Sequence, residues 1–147
     1  WSAEARGAIV GLTHFADKNH IARAVLEASA FQTKDVFEAM QKDSGINLTK
    51  LKVDGGMTAS KLLMQFQADI LNIDVVLPKI SETTALGAAF AAGLATGFWT
   101  NFEELKQVVQ TKKTWIPKME ENTRNKLYKN WQKAVGRSLD WEEQSKL

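Results

Sequence analysis

The sequence predicts an α/β layered domain, a sheet with helices packed on it, and three observations carry that prediction. Short apolar runs bounded by glycine, proline or polar residues alternate with longer runs of helical period. Helical runs outnumber strand-like ones, and no hairpin signal joins two strand-like runs. The chain has 147 residues, 44% hydrophobic and 24% charged, which suits one globular domain. It holds no repeat, no low-complexity segment and no Gly/Ser/Pro-rich linker, so no internal boundary is expected.

Gly7-Ala8-Ile9-Val10-Gly11-Leu12 is an apolar run between glycines and predicts a buried strand. Residues 13–19 are polar and predict a loop, with Asn19 as the N-cap of the first helix. Ile21, Val25, Ala28, Val36 and Met40 recur at helical spacing, with Phe31 nearby, and predict a helix over residues 20–42. It should stop at Ser44-Gly45, where glycine takes the left-handed cap. Leu51-Lys52-Val53 predicts a second strand, ending in Asp54-Gly55-Gly56. A helical segment follows, with Leu62, Leu63, Phe66, Ile70 and Leu71 on its buried side. Asp74-Val75-Val76-Leu77-Pro78 predicts a third strand closed by proline. Residues 83–95 predict a helix dominated by small residues, capped by Thr83 or Ser81. Residues 101–109 predict another helix and 120–141 the last, which Gly136 weakens.

Nineteen basic residues against seventeen acidic give +2, too small a balance for a nucleic-acid footprint. Cysteine is absent, which excludes disulfides, thiolate zinc sites and a cysteine nucleophile, and fits a reducing compartment. No signal-peptide pattern opens the chain. It also lacks an initiator Met, so it is expected to begin inside a longer protein. The most apolar run, residues 85–99, falls short of the roughly 20 residues that span a bilayer and predicts a buried helix.

The strongest candidate for chemistry is Val53-Asp54-Gly55-Gly56-Met57-Thr58-Ala59-Ser60-Lys61. A strand delivers the chain to two glycines just before a helix. Glycines let backbone approach a ligand, and a helix N-terminus favours phosphate. Ser60 is expected in the first helical turn, its hydroxyl within reach of such a ligand. The same residues suit a plain strand-to-helix turn with Asp54 bonding local backbone, and the pattern leaves both readings open. The spacing is neither that of a P-loop nor of a dinucleotide fingerprint. Gly87, Ala91 and Ala95 form a small-residue stripe, better explained by tight packing than by a flat ligand. His14 and His20 flank Asp17 without metal-ligand spacing, and capping explains them better than a metal. The cations Lys126, Lys129, Lys133 and Arg137 follow acidic Glu120 and Glu121, which complements the dipole of a solvated helix.

Together these segments resemble the FGGY carbohydrate kinases. Gly7-Ala8-Ile9-Val10-Gly11-Leu12, seven residues, then His20-Ile21-Ala22-Arg23-Ala24-Val25-Leu26-Glu27 fill each constrained position of that family's C-terminal signature. Ala5-Arg6-Gly7, Val53-Asp54-Gly55-Gly56, residues 63–71, Glu82-Thr83-Thr84-Ala85-Leu86-Gly87-Ala88-Ala89 and Trp131-Gln132-Lys133-Ala134-Val135 are similar to the family's glycerol-phosphorylating branch. The resemblance implies an actin-like (ribonuclease-H-like) ATPase fold, with residues 1–147 as the later part of the C-terminal domain and the N-terminal domain absent. It implies transfer of the γ-phosphoryl of ATP, with Mg2+, to glycerol in a full-length cytoplasmic enzyme, a homo-oligomer of two or four chains.

Carried over residue by residue, the resemblance gives Gly55 and Gly56 to the nucleotide phosphates and Ser60 to the adenosine side, where the family usually has Asn. The glycerol pocket, catalytic carboxylate and metal ligands belong to earlier parts of the family's chain, so this segment alone is expected to be inactive. Some bacterial members are controlled by a transport regulator docking through zinc. The matching position here is Thr123, which cannot replace the ligating Glu, so that control is not expected. Two alternatives stand beside this reading: a non-catalytic nucleotide-binding or interaction module, and a kinase of another polyol or sugar.

Overall fold

The computed structural model describes residues 2–80 and 82–142. The elements are α1 (Lys18–Ser44), β1 (Lys50–Lys52), a 3₁₀ turn (Gly56–Ala59), α2 (Lys61–Leu71), β2 (Asp74–Pro78), α3 (Thr83–Ala95), α4 (Phe102–Val108), β3 (Thr111–Trp115) and α5 (Glu121–Gly136). The sheet order is β1-β2-β3. β1 runs parallel to β2, with Leu51 opposite Val75, and β3 runs antiparallel on the far side, with Thr114 opposite Val76. The α/β class of the sequence reading holds.

Parallel β1 and β2 need a crossover, and α2 supplies it. Leu63, Met64, Phe66, Gln67, Ala68, Ile70 and Leu71 are all buried in this eleven-residue helix. It lies between the sheet, through Val75 and Trp115, and helices α1 and α5, through Phe31, Phe37 and Trp131. Phe31 packs edge-on against Phe66, 5.4 Å between centroids, and stacks on Trp131 at 5.3 Å. Five large apolar side chains buried on one helix contribute about 10 kcal/mol of gross transfer free energy. That burial makes α2 the anchor on which both strand ends depend.

Two polar contacts join α1 to α5 around this core. Asp35 accepts hydrogen bonds from the Tyr128 hydroxyl at 2.6 Å and from Trp131 Nε1 at 2.7 Å. Glu38 lies 2.9 Å from the same hydroxyl and pairs with Lys34, whose ammonium sits over the Tyr128 ring. Burial and then these two carboxylates push the phenol above the usual tyrosine range.

Several expectations change. Residues 7–12 form no strand: Ile9, Val10 and Leu12 are 68%, 49% and 60% exposed. A strand needs a neighbour for its N–H and C=O groups, and no described strand lies beside this segment. The cap of α1 is Asp17, not Asn19, so the helix starts at Lys18, two residues early. Asp17 accepts the backbone N–H of Asn19 at 2.9 Å and of His20 at 3.1 Å, while His20 reaches back to the Asp17 amide. These bonds, the His20 amide first, hold the Asp17 carboxyl below its usual range. Gly45 ends the helix in the left-handed conformation, φ 67°, as expected. The supposed inner face of α1 is largely open: Ile21, Val25, Val36 and Met40 are exposed, and Ala30, Phe31 and Phe37 are buried instead. On α2, Leu62 is exposed rather than buried.

The α3 helix has the expected bounds but is not buried. Among its described residues only Gly93 is enclosed, under the Trp99 ring. Its cap is Glu82, without a side-chain bond, and Ser81 lies outside the described residues. β3 was not expected: its five residues include two lysines and one large apolar side chain, too little contrast for a strand pattern. The last helix ends at Gly136 rather than Trp141, with Arg137 as its C-cap.

Candidate functional site

Strands β1 and β2 both end on the same edge of the sheet, and a cleft of about 330 Å³ opens there. Ligands of parallel α/β sheets bind outside the carboxyl ends of the strands. One arm of the cleft is the end of β1, where the Val53 amide bonds to Val76 O at 3.0 Å and Asp54 follows. The base is Pro78 at the end of β2 and Ile80 beyond it, with Val109 and Gln110. The Lys79 amide holds Gln110 O at 2.8 Å, and its ammonium holds Gln110 Oε1 at 2.6 Å. The other arm is α3, which presents Thr83, Leu86, Gly87 and Phe90. The Thr83 hydroxyl donates to Asp54 Oδ2 and links the two arms. The lining is mainly apolar, with a few convergent polar groups, as suits a ring-bearing ligand.

Gly55 and Gly56 stand beside this cleft, immediately after Asp54, and both are exposed. Gly55 has φ 84° and ψ 176°, a region that only glycine adopts without strain. Gly56 opens the 3₁₀ turn, and a Cβ on either glycine would meet no atom of the described residues within 4 Å beyond its chain neighbours. The backbone here faces open space rather than packing on the fold. Thr58 pins the turn, its amide at 3.1 Å and its hydroxyl at 2.7 Å from Gly55 O.

Ser60 is the N-cap of α2 rather than a member of its first turn, and its Oγ accepts the Leu63 amide at 3.3 Å. The 3₁₀ turn displaces the helix start to Lys61, five residues beyond Gly56. Gly55, Gly56 and Ser60 therefore share one loop, but none of the three lines the cleft. Sequence reasoning missed the lining groups Thr83, Leu86, Phe90 and Gln110. Gly87, whose small-residue stripe predicts packing, faces the cleft. The visible signal was the small-residue period of α3, which admits a close ligand as readily as a close backbone.

A larger apolar groove, about 510 Å³, runs between residues 8–16, the first half of α1 and Trp131. Its histidine, His20, is committed to the α1 capping box. Among the described residues no group of three or more His, Asp or Glu is placed to hold a metal ion. Nor is any described helix long and apolar enough to cross a membrane.

The chain is 57% identical over 143 residues to a glycerol kinase of Chloroflexus aurantiacus and 60% identical over 141 residues to one of Acidiphilium cryptum. These matches take in 97% and 96% of this chain but 29% and 28% of those proteins, so the chain spans under a third of their length. Among solved structures, the Plasmodium falciparum glycerol kinase with ADP superposes with a TM-score of 0.86 at 38% identity, over 95% of this chain and 28% of that one. A ligand-bound xylulose kinase from Lactobacillus acidophilus gives 0.82 at 30% identity, over 93% and 28%. The model of the FGGY family of carbohydrate kinases, C-terminal domain, matches residues 1–96. With more than half its length inside that match and the cleft at the ends of its parallel strands, the chain belongs to the FGGY family of carbohydrate kinases.

Proposed function

We propose that this chain is the later part of the C-terminal domain of a kinase that phosphorylates glycerol with ATP, and that it supplies one wall of the nucleotide site. The observation that carries the reading is the glycine loop: two exposed glycines, one in a glycine-only conformation, beside an apolar cleft at the ends of parallel strands. The ADP-bound relative of closely similar fold supports a nucleotide there.

On this reading Gly55 and Gly56 bring backbone against the phosphates with no Cβ in the way. The apolar wall of Leu86 and Phe90 takes the flat base, and Gly87 lets it come close. Ser60 is the polar group nearest the adenosine side, and its hydroxyl proton is free to be donated while Oγ accepts from Leu63. Mg2+ enters as part of the MgATP substrate, where it neutralises phosphate charge. This chain's share of catalysis is binding and orientation, because phosphoryl transfer rests on positioning and electrostatic stabilisation. The base that activates the hydroxyl and the glycerol pocket lie elsewhere in the enzyme, so the chain alone is inactive. The family resemblance extends the reading to a cytoplasmic enzyme that assembles as a dimer or tetramer.

The test is a phosphorylation assay on the complete gene product with glycerol, xylulose and gluconate. Glycerol should be the preferred substrate, as the identities of 57% and 60% to glycerol kinases suggest. Preference for either sugar substrate would overturn the glycerol assignment while leaving the kinase reading intact. Failure to bind ADP would overturn both.

A further inference from the structure

We propose that Thr83 and Asp54 form a positioning pair that sets the opening of the cleft. The proposal rests on the nucleotide reading above and adds a role that the glycine loop does not contain. Thr83 Oγ1 donates to Asp54 Oδ2 across 29 residues of sequence. Asp54 ends the β1 arm and is bonded to Gly55 through the chain, whereas Thr83 opens α3. Both side chains face the cleft.

Among the described residues little else fixes the start of α3. Its N-cap Glu82 makes no side-chain capping bond. The one enclosed residue among those described, Gly93, sits near the other end and packs on Trp99 from the turn that follows, not on the sheet. The hydroxyl–carboxylate bond therefore ties the wall bearing Leu86, Gly87 and Phe90 to the loop bearing Gly55 and Gly56. A hydrogen bond to a charged acceptor is among the stronger kinds, so one such bond suffices to bias the lightly held α3 arm against the β1 arm, which the Val53–Val76 bond fixes. With Oδ2 engaged by Thr83, Asp54 serves as a positioning residue.

The experiment uses the complete gene product. ADP affinity by calorimetry, KM for ATP and the ligand-free melting temperature are measured for Thr83→Val, Thr83→Ser, Asp54→Ala and the Thr83→Val/Asp54→Ala double variant. Thr83→Val should weaken ADP about tenfold, the scale of one lost charge-assisted bond. Thr83→Ser should recover most of that loss, and the double variant should bind no more weakly than Asp54→Ala alone. KM for ATP should rise while KM for glycerol stays in place.

Parent-like affinity in Thr83→Val, additive losses in the double variant, or a lower melting temperature with unchanged affinity would each overturn the pair. Gly56→Val separates this from the reading beneath it. If Gly56→Val loses ADP and Thr83→Val is silent, the pair alone fails. If neither Gly56→Val nor Thr83→Val weakens ADP, the nucleotide reading of this edge fails and the pair with it.

Discussion

The two glycines of the loop should respond to substitution in opposite ways, and the structure fixes the size of each response. Gly55 sits at φ 84° and ψ 176°. A side chain held in that region costs roughly 1–3 kcal/mol, even though its Cβ would have no neighbour within 4 Å. Gly55→Ala should therefore destabilise by about 2 kcal/mol, which for a chain of this size lowers the melting temperature by about 4–8 °C. Gly56 carries no such strain, and its Cβ would also enter open space. Gly56→Ala should change stability by less than about 0.5 kcal/mol, and Gly56→Val by less than about 1 kcal/mol. The ligand sees the reverse order, because the added methyls at Gly56 fill the space through which a phosphate reaches the backbone. Gly56→Val should weaken ADP by more than about tenfold, the equivalent of about 1.4 kcal/mol. Thermal unfolding of the 147-residue chain gives the first quantity, and calorimetry with ADP on the complete gene product gives the second. Parent-like melting of Gly55→Ala would refute the strain argument. Parent-like ADP affinity in Gly56→Val would remove the loop from the phosphate site.

Three further outcomes are expected. Ser60→Ala removes the α2 cap and should cost about 1 kcal/mol, whereas Ser60→Asn keeps a capping oxygen and should leave stability near the parent; a changed ADP affinity in Ser60→Asn, by calorimetry, would show that position 60 touches the nucleotide. Tyr128, the chain's one tyrosine, holds its proton more tightly folded than unfolded, so its contribution is complete below the ordinary tyrosine value of about 10 and is lost as pH rises above it. Urea midpoints across that range should fall for the parent and fall less for Tyr128→Phe, which already lacks the hydrogen bonds to Asp35 and Glu38. Gly93→Ala would place a Cβ 2.2 Å from Trp99 Cε3, forcing the indole away from Phe90 and Phe98. A loss of about 1–3 kcal/mol and a changed near-ultraviolet dichroism should follow, and an unchanged spectrum would contradict that packing.

The parts of the fold that were legible in the sequence are those whose determinants are local. Pro78 closes β2, Gly45 ends α1, and the apolar residues of α2 repeat on a helical period because they are buried. The illegible parts depend on what lies opposite. Residues 7–12 and the Ile21/Val25 side of α1 have the composition of buried segments and are exposed here. An apolar pattern says which residues favour removal from water, not which neighbour removes them. The Asp17 cap was missed because three polar residues in a row, Asp17, Lys18 and Asn19, include two good caps. His20 selects between them by completing the box from three residues downstream.

The same distinction explains why half of the candidate site was legible. A glycine in a conformation closed to other residues leaves a mark at one position, although Gly55 and Gly56 look alike in the sequence and only the structure shows that Gly55 is the one at φ 84°. The opposite wall has no such mark. Thr83 faces Asp54 only because α2 carries the chain from β1 to β2 and leaves both strand ends on one edge. That placement depends on the burial of α2, with Ile70 and Val75 wholly removed from water between sheet and helices. Few of the residues that form the cleft are core residues; the core fixes where the strands stop, and the exposed loops beyond them carry the chemistry. A substitution such as Phe66→Ala, which removes about 3–5 kcal/mol from the core, should therefore disturb ADP binding without touching the ligand. It would do so by loosening the two arms together, whereas Thr83→Val should loosen only the link between them.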